Sequence, residues 1–214
     1  MTQRFNPKTD VPLIAILRGI EPNDVLRIGN ILIDAGFKAI EVPLNSPDAL
    51  KSIELLVNKF GNDYLVGGGT VTTAELAEQV IATGAKLIVT PNFNERVVQL
   101  GIEAGCQVYP GVITPTEAFN ALQAGATGIK LFPVTMLGIS GVKALKSVLP
   151  KEALCFAVGG INPEVDSMKP YLEVGIDGFG LGASLYSPSL SDEEIRENAQ
   201  MFIHAYNETN SLVG

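Results

Sequence analysis

The chain has one histidine, two cysteines, and only 15 basic residues against 23 acidic ones among its 214 residues. Each shortage excludes a class of function. Most catalytic zinc sites use at least two histidines. A lone His204, in the C-terminal helical segment, reads as a surface or helix-packing residue, so neither a metal nor another cofactor is expected. Cys106 and Cys155 sit beside or within predicted strands. They form no disulfide framework and read as small buried apolar groups in a reducing compartment. The net charge of −8 argues against a general nucleic-acid or anionic-membrane surface, so any site for an anion must be built locally. The segment Met1–Lys8 has no apolar signal core, and no apolar run approaches the ~20 residues that span a bilayer. A cytoplasmic protein with no nucleic-acid or membrane partner is expected.

What the chain does have is a large apolar fraction. Hydrophobic residues make up 46% and charged residues 18%, the balance of a folded, heavily buried chain long enough for a full core. Short apolar runs recur at Leu13–Leu17, Ala39–Leu44, Leu65–Gly67, Lys86–Thr90, Gln107–Tyr109, Gly128–Phe132, Leu154–Val158 and Ile176–Leu181. Their starts fall roughly 21–26 residues apart, room for one helix and two tight loops. Thr72…Glu75, Thr114…Glu117 and Ser191…Glu194 each fit a capping box. Pro47, Pro115 and Pro163 read as first-turn prolines. Gly36, Gly84, Gly105, Gly125 and Gly175 stand where helices end and strands begin, as left-handed caps.

Strand–helix alternation of this kind means a parallel sheet. Eight units in a chain of this length fit a closed (β/α)8 TIM barrel, with residues 1–214 forming a single domain. An open doubly wound sheet is the alternative. It would carry a glycine-rich fingerprint in its first turn, and Arg18-Gly19-Ile20-Glu21-Pro22 is not one.

In a barrel the active site lies at the C-terminal strand ends. The polar exceptions there are Arg18, Glu41, Asn45, Thr70, Thr90, Lys130 and the glycine pairs after the last two strands. Lys130 stands where a covered strand should carry an aliphatic side chain. An ammonium buried there costs several kcal/mol or neutralises by lowering its pKa. Ordinary lysine has roughly 0.04% neutral amine at pH 7. A pKa brought down to about 7–8 would make attack on a carbonyl practical, so Lys130 is a candidate Schiff-base lysine. The plainer reading is a strand-end lysine that snorkels to water. Glu41 alternates with Ile40 and Val42, so it points to the barrel axis if those two pack on the helices. Glu41 and Lys130, half a turn apart, would meet across the mouth, as an acid–base pair for imine chemistry or as a buried structural ion pair.

Gly159-Gly160 and Gly182-Ala183-Ser184 follow the last two strands. Barrels commonly hold a phosphate between these loops on backbone N–H groups. The alternative is that these glycines only turn the chain.

Taken in order, several stretches carry a family resemblance: Pro12-Leu-Ile-Ala-Ile-Leu-Arg18-Gly, Ile40-Glu41-Val-Pro-Leu-Asn45-Ser, Gly67-Gly-Gly-Thr70-Val, Val89-Thr-Pro91-Asn, Pro110-Gly111, Ile129-Lys130-Leu-Phe132-Pro and Ala157-Val158-Gly159-Gly160. The chain resembles, over nearly its whole length, the pyruvate-forming class I aldolases of the 2-keto-3-deoxy-6-phosphogluconate type. The resemblance implies that Lys130 forms the Schiff base and Glu41 is the general acid/base. Arg18 and Thr70 would hold the substrate carboxylate, Pro91 and Phe132 would line the pocket, and Gly159, Gly160, Gly182, Ala183 and Ser184 would surround the phosphate. It also implies a homotrimer, with Phe93 as an exposed-aromatic contact. The gluconate-type enzymes have an arginine where Asn45 stands and a threonine where Val158 stands. Arg18, Asn45 and Val158 instead resemble the branch acting on the galactonate epimer, which differs only at C4. Asn45 and Val158 are therefore the selectivity candidates, and a phosphorylated 2-keto-3-deoxy sugar acid is the expected substrate. The rivals are a sibling aldolase for the gluconate epimer or 4-hydroxy-2-oxoglutarate, a sugar-phosphate isomerase or epimerase, and a non-catalytic phosphate-sugar-binding barrel.

Overall fold

The computed structural model describes residues 5–213. Residues 1–4 and 214 lie outside the described residues, and with them part of the segment read as lacking a signal core and both ends of the 1–214 domain. Strands and helices alternate as β1 (Leu13–Ile16), α1 (Pro22–Ala35), β2 (Ala39–Pro43), α2 (Ala49–Phe60), β3 (Leu65–Gly69), α3 (Ala74–Ala82), β4 (Leu87–Val89), α4 (Glu95–Glu103) and β5 (Gln107–Tyr109). They continue as β6 (Gly111–Val112), α5 (Pro115–Gln123), β7 (Ile129–Leu131), α6 (Val134–Lys146), β8 (Cys155–Val158), α7 (Val165–Glu173), β9 (Gly178–Leu181) and α8 (Asp192–Val213). All strand pairs are parallel, in the order β5-β4-β3-β2-β1-β9-β8-β7-β6. This is the β/α barrel that the repeat spacing predicts. No helix among the described residues is long and apolar enough to cross a membrane.

The sheet has nine segments rather than eight because the chain resumes pairing at Gly111–Val112, just past Pro110 and the expected fifth strand. Proline has no N–H to give to a ladder. The segment before it (β5) pairs with β4 and the segment after it (β6) pairs with β7, so the seam closes through residues 107–112. The Pro110 carbonyl still serves, accepting from the Lys130 N–H at 2.9 Å.

The helix signals hold in part. Thr114 and Glu117 form a reciprocal capping box, as do Ser191 and Glu194, and Pro115 opens α5. The cap of α3 is Thr73, not Thr72: its hydroxyl accepts from the Leu76 N–H, which leaves Glu75 one position too early to reciprocate. Pro47 and Pro163 stand before the caps Asp48 and Glu164, because one further non-helical residue intervenes before each helix. Pro22 takes the first-turn role in α1. The five predicted cap glycines all have positive φ, between 70° at Gly105 and 113° at Gly36.

Alternation along the strands makes two apolar layers. Ile40, Val42, Ile129 and Leu131 face outward into the layer between barrel and helices. Ile14, Leu65, Leu87, Val89, Tyr109 and Phe156 fill the barrel, where the Tyr109 and Phe156 rings meet edge to face at 5.1 Å. At the N-terminal end of the barrel Phe5 is fully buried in the inner layer. Its carbonyl accepts from Gln107 Nε2 at 2.9 Å, and Gln107 Oε1 accepts from the Tyr109 hydroxyl at 2.8 Å. This plug satisfies the polar atoms at that end and leaves the C-terminal mouth as the place for a site. Both cysteines are buried and free.

Candidate active site

Lys130 is 6% exposed, so it does not snorkel. Its strand neighbours Ile129 and Leu131 point outward, which turns Lys130 into the barrel. Nζ lies 4.6 Å from the centre of the Phe132 ring. Burial lowers its pKa from the ordinary lysine value; nearby Glu41 opposes this and Arg18 adds to it. Glu41, 1% exposed on β2, is pushed up to about 7 by burial, against the pull of Lys130 and Arg18.

The two groups are not joined by a salt bridge among the described residues, and Glu41 Oε2 has no protein hydrogen-bond partner. They border one interior space of about 10 Å³, on the scale of a single water site. A structural ion pair would be closed and hydrogen-bonded. This pair is open.

Above it lies a cleft of about 570 Å³ at the barrel mouth. Its wall includes Arg18, Thr70, Pro91, Lys130, Phe132 and Val158, together with Gly159, Gly160, Gly182, Ala183 and Ser184. Of the strand-end and glycine-loop residues singled out from the sequence, all are on this wall except Thr90, Glu41 and Asn45. Glu41 sits beneath it, and Asn45 stands behind Arg18, accepting from the guanidinium at 2.6 Å.

Local backbone explains several of these placements. Thr70 has φ +58°, a left-handed conformation rarely taken by a β-branched residue. Gly159 and Gly160 are consecutive positive-φ residues, at 101° and 72°. The Gly182 carbonyl accepts from the N–H groups of Leu185 and Tyr186, so Ala183 and Ser184 open a helical turn. The N–H groups of Gly160, Ala183 and Ser184 find no backbone acceptor among the described residues. Such N–H groups on facing loops are what an anion needs.

Some residues differ from their sequence reading. Thr90 is fully buried and donates to the Asn92 carbonyl while accepting from the Gly111 N–H; its polarity ties the β4 loop to β6. Phe93 is not freely exposed, because its ring packs partly buried against the barrel–helix layer. His204 is exposed on α8, 3.6 Å from Glu208. Two residues were missed. Asn162 accepts from the Ser184 hydroxyl at 3.1 Å, bridging the two glycine loops. Buried Ser46 accepts from the Gly19 N–H at 2.9 Å. The only sign in sequence was a small polar residue beside a proline.

The model of the family described as KDPG and KHG aldolase matches residues 6–200. The chain is 44% identical over 201 residues to a 2-dehydro-3-deoxy-6-phosphogalactonate aldolase of Escherichia coli (strain K12), spanning 94% of this chain and 97% of that one. It superposes on a native KDPGal structure with TM-score 0.92 and 43% identity, over 95% of this chain and 98% of the other. A KDPG aldolase from Legionella pneumophila, solved with pyruvate captured as a covalent carbinolamine, gives TM-score 0.77 and 27% identity over 97% and 98%. With a buried lysine and carboxylate beneath a cleft rimmed by glycine loops, and with these likenesses across nearly its whole length, the chain belongs to the KDPG and KHG aldolase family of carbon–carbon lyases.

Proposed function

We propose that this chain cleaves 2-dehydro-3-deoxy-6-phospho-D-galactonate to pyruvate and D-glyceraldehyde 3-phosphate through an imine on Lys130. The observation that carries the reading is the open pair at the foot of the cleft: an amine whose pKa burial lowers, beside a carboxyl held near 7 with one oxygen unbonded. An isomerase or a passive binding barrel needs no imine.

In this mechanism Arg18 and Thr70 hold the substrate carboxylate, Arg18 by charge-assisted hydrogen bonding. Pro91 and Phe132 wall the pyruvyl end. The N–H groups around Gly159, Gly160, Gly182, Ala183 and Ser184 take the phosphate, which lets an acidic protein bind an anion without a basic patch. Fixing both ends brings the C2 ketone to the Lys130 amine.

Neutral Lys130 adds to C2, and Glu41 shuttles the protons that let the carbinolamine lose water. The resulting iminium cation faces the Phe132 ring, which favours positive charge. Glu41 then takes the C4 hydroxyl proton. The C3–C4 bond breaks, its electron pair enters the iminium to give an enamine, and the aldehyde departs. Glu41 returns the proton to C3, and water releases pyruvate and the free amine. A carboxyl with pKa near 7 suits both halves of this shuttle. No metal and no organic cofactor enters any step.

Val158 and Asn45 are the residues we assign to substrate choice. The aldolase from Escherichia coli, 44% identical, is named for the galactonate-configured substrate, which favours that epimer over the gluconate one. We further assign the chain, 1–214, to one domain, a cytoplasmic location consistent with two buried free thiols, and a homotrimeric assembly. A designed cage built by fusing symmetric oligomeric domains, 43% identical to this chain, supports self-association. The exposed apolar side chains of Ile102 and Phe119 offer it a surface.

Borohydride reduction in the presence of pyruvate tests the covalent step. Activity should be lost with one pyruvyl adduct, at Lys130 among the ten lysines. Lys130→Arg should fold, form no adduct and turn nothing over, since a guanidinium stays protonated. An adduct on another lysine, or none, would overturn the mechanism.

A further inference from the structure

We propose that Asn45 is a positioning residue for Arg18: its neutral amide oxygen fixes the guanidinium at the cleft wall without cancelling its charge. The inference deepens the reading of Arg18 as the carboxylate anchor and rests on it. Arg18 leaves β1 and Asn45 leaves β2, 27 residues apart, and the Arg18 Nη1 to Asn45 Oδ1 contact of 2.6 Å joins them. The next residues repeat the stitch, with the Gly19 N–H donating to buried Ser46 Oγ at 2.9 Å and the Ser46 N–H donating to the Pro43 carbonyl at 2.9 Å. The strand that carries Glu41 is thereby tied to the loop that carries Arg18. Arg18 lines the cleft and Asn45 does not.

The choice of side chain matters chemically. Arginine has several rotors, and a guanidinium already held in one direction loses less freedom when it meets an anion. An aspartate in place of Asn45 would hold it as well, but as an ion pair whose negative charge repels an incoming carboxylate. Arg18 makes no salt bridge among the described residues, although Glu41 feels its charge. A neutral acceptor orients the cation without adding a negative charge beside the substrate. On this account any influence of Asn45 on the C4 preference is exerted through where Arg18 holds the substrate.

The test is a double-mutant cycle read by the pyruvate concentration that gives half-maximal borohydride trapping, with kcat/KM for both C4 epimers alongside. Asn45→Ala should raise that concentration about tenfold, the scale of a hydrogen bond to a charged group. Arg18→Gln should raise it further. In the Arg18→Gln background, Asn45→Ala should have no additional effect on trapping or on the epimer ratio. Asn45→Asp has nearly the same shape and keeps the acceptor, so a merely structural role predicts wild-type trapping, whereas the proposal predicts trapping at least as weak as in Asn45→Ala. Undiminished Asn45 effects in the Arg18→Gln background, or wild-type behaviour of Asn45→Asp, overturn the proposal while leaving Arg18 as anchor. Unchanged trapping in Arg18→Gln overturns both.

Discussion

Glu41 rests against the backbone of Gly69 on the neighbouring strand, and its carboxylate fills the space a Cβ on Gly69 would need. The glycine run Gly67–Gly69 thus ends in a residue whose missing side chain makes room for the candidate base. Gly69→Ala should push the carboxylate aside and behave like Glu41→Gln. Lys130 should still form its pyruvate adduct, while deuterium exchange into the pyruvate methyl slows by roughly 10²–10⁴-fold, the usual span for a lost general base. Proton NMR of pyruvate in deuterated buffer reads this directly. Exchange at the wild-type rate in both variants would return Glu41 to a packing role.

Glu41 also predicts how stability follows pH. Its folded pKa, about 7, lies above the ordinary value of 4.5, so the folded state holds the proton more tightly than the unfolded one. The favourable contribution is complete below about 4.5 and is lost as pH rises through 7. Glu41→Gln removes that dependence. It should be more stable than wild type at pH 8, by an amount on the order of 2–3 kcal/mol, with the gain shrinking toward pH 5. Urea unfolding at the two pH values checks it, and a gain that is equal at both would mean burial of the charged carboxylate is not the cause.

On the proposed mechanism the same protonation governs catalysis. Below pH 7 a growing share of Glu41 is protonated and cannot take the C4 hydroxyl proton, so kcat/KM should fall with decreasing pH. Replacing Glu41 with Gln should remove the part of the acid limb that Glu41 causes. A profile flat from pH 8 to pH 5 in the wild type would contradict the assignment of Glu41.

Thr70 sits in a backbone conformation that resists a β-branched side chain, which stores of order 1–3 kcal/mol of strain. Thr70→Gly should relieve it, and after the entropy cost of glycine the protein should gain about 1 kcal/mol. Pyruvate trapping should weaken as the hydroxyl is lost, and Thr70→Ser should restore it. A glycine variant less stable than wild type would show that the surrounding loop does not oppose this residue.

Val158 lines both the cleft and the interior space beneath it. An apolar wall discriminates weakly against a hydroxyl, whereas a site built to hydrogen-bond one discriminates strongly. Wild type should cleave the galactonate-configured substrate at least as well as its C4 epimer. Val158→Thr should move the kcat/KM ratio toward the gluconate epimer by about 1–2 kcal/mol if the hydroxyl finds a partner. An unmoved ratio would place the reading of C4 elsewhere on the wall.

What could be read from sequence was whatever depends on periodicity. Lys130 and Glu41 stood out because strand alternation places each opposite in parity to aliphatic neighbours, and the glycine loops stood out because they follow the last two strands. Pro110 was visible too, but a proline read at a strand end does not reveal that the same chain continues as a second ladder on the other side of the seam. Thr90 and Thr70 looked alike as polar residues at strand ends. One is sealed into a loop tie and the other faces the cleft, a difference set by where neighbouring loops lie. Asn162 with Ser184 and Gly19 with Ser46 are pairs 22 and 27 residues apart, so no local pattern marks them.

The plug of Phe5, Gln107 and Tyr109 makes the barrel a vessel with one door. Whatever enters must leave by the same opening, and the piece bound nearest the rim must go first. On the proposed mechanism, with the pyruvyl group tethered at Lys130 and the phosphate end at the rim, the aldehyde would depart ahead of pyruvate. In the synthetic direction the queue reverses, with pyruvate loaded first and the aldehyde admitted second. The order of traffic through the enzyme is thus written at the end of the barrel farthest from its chemistry.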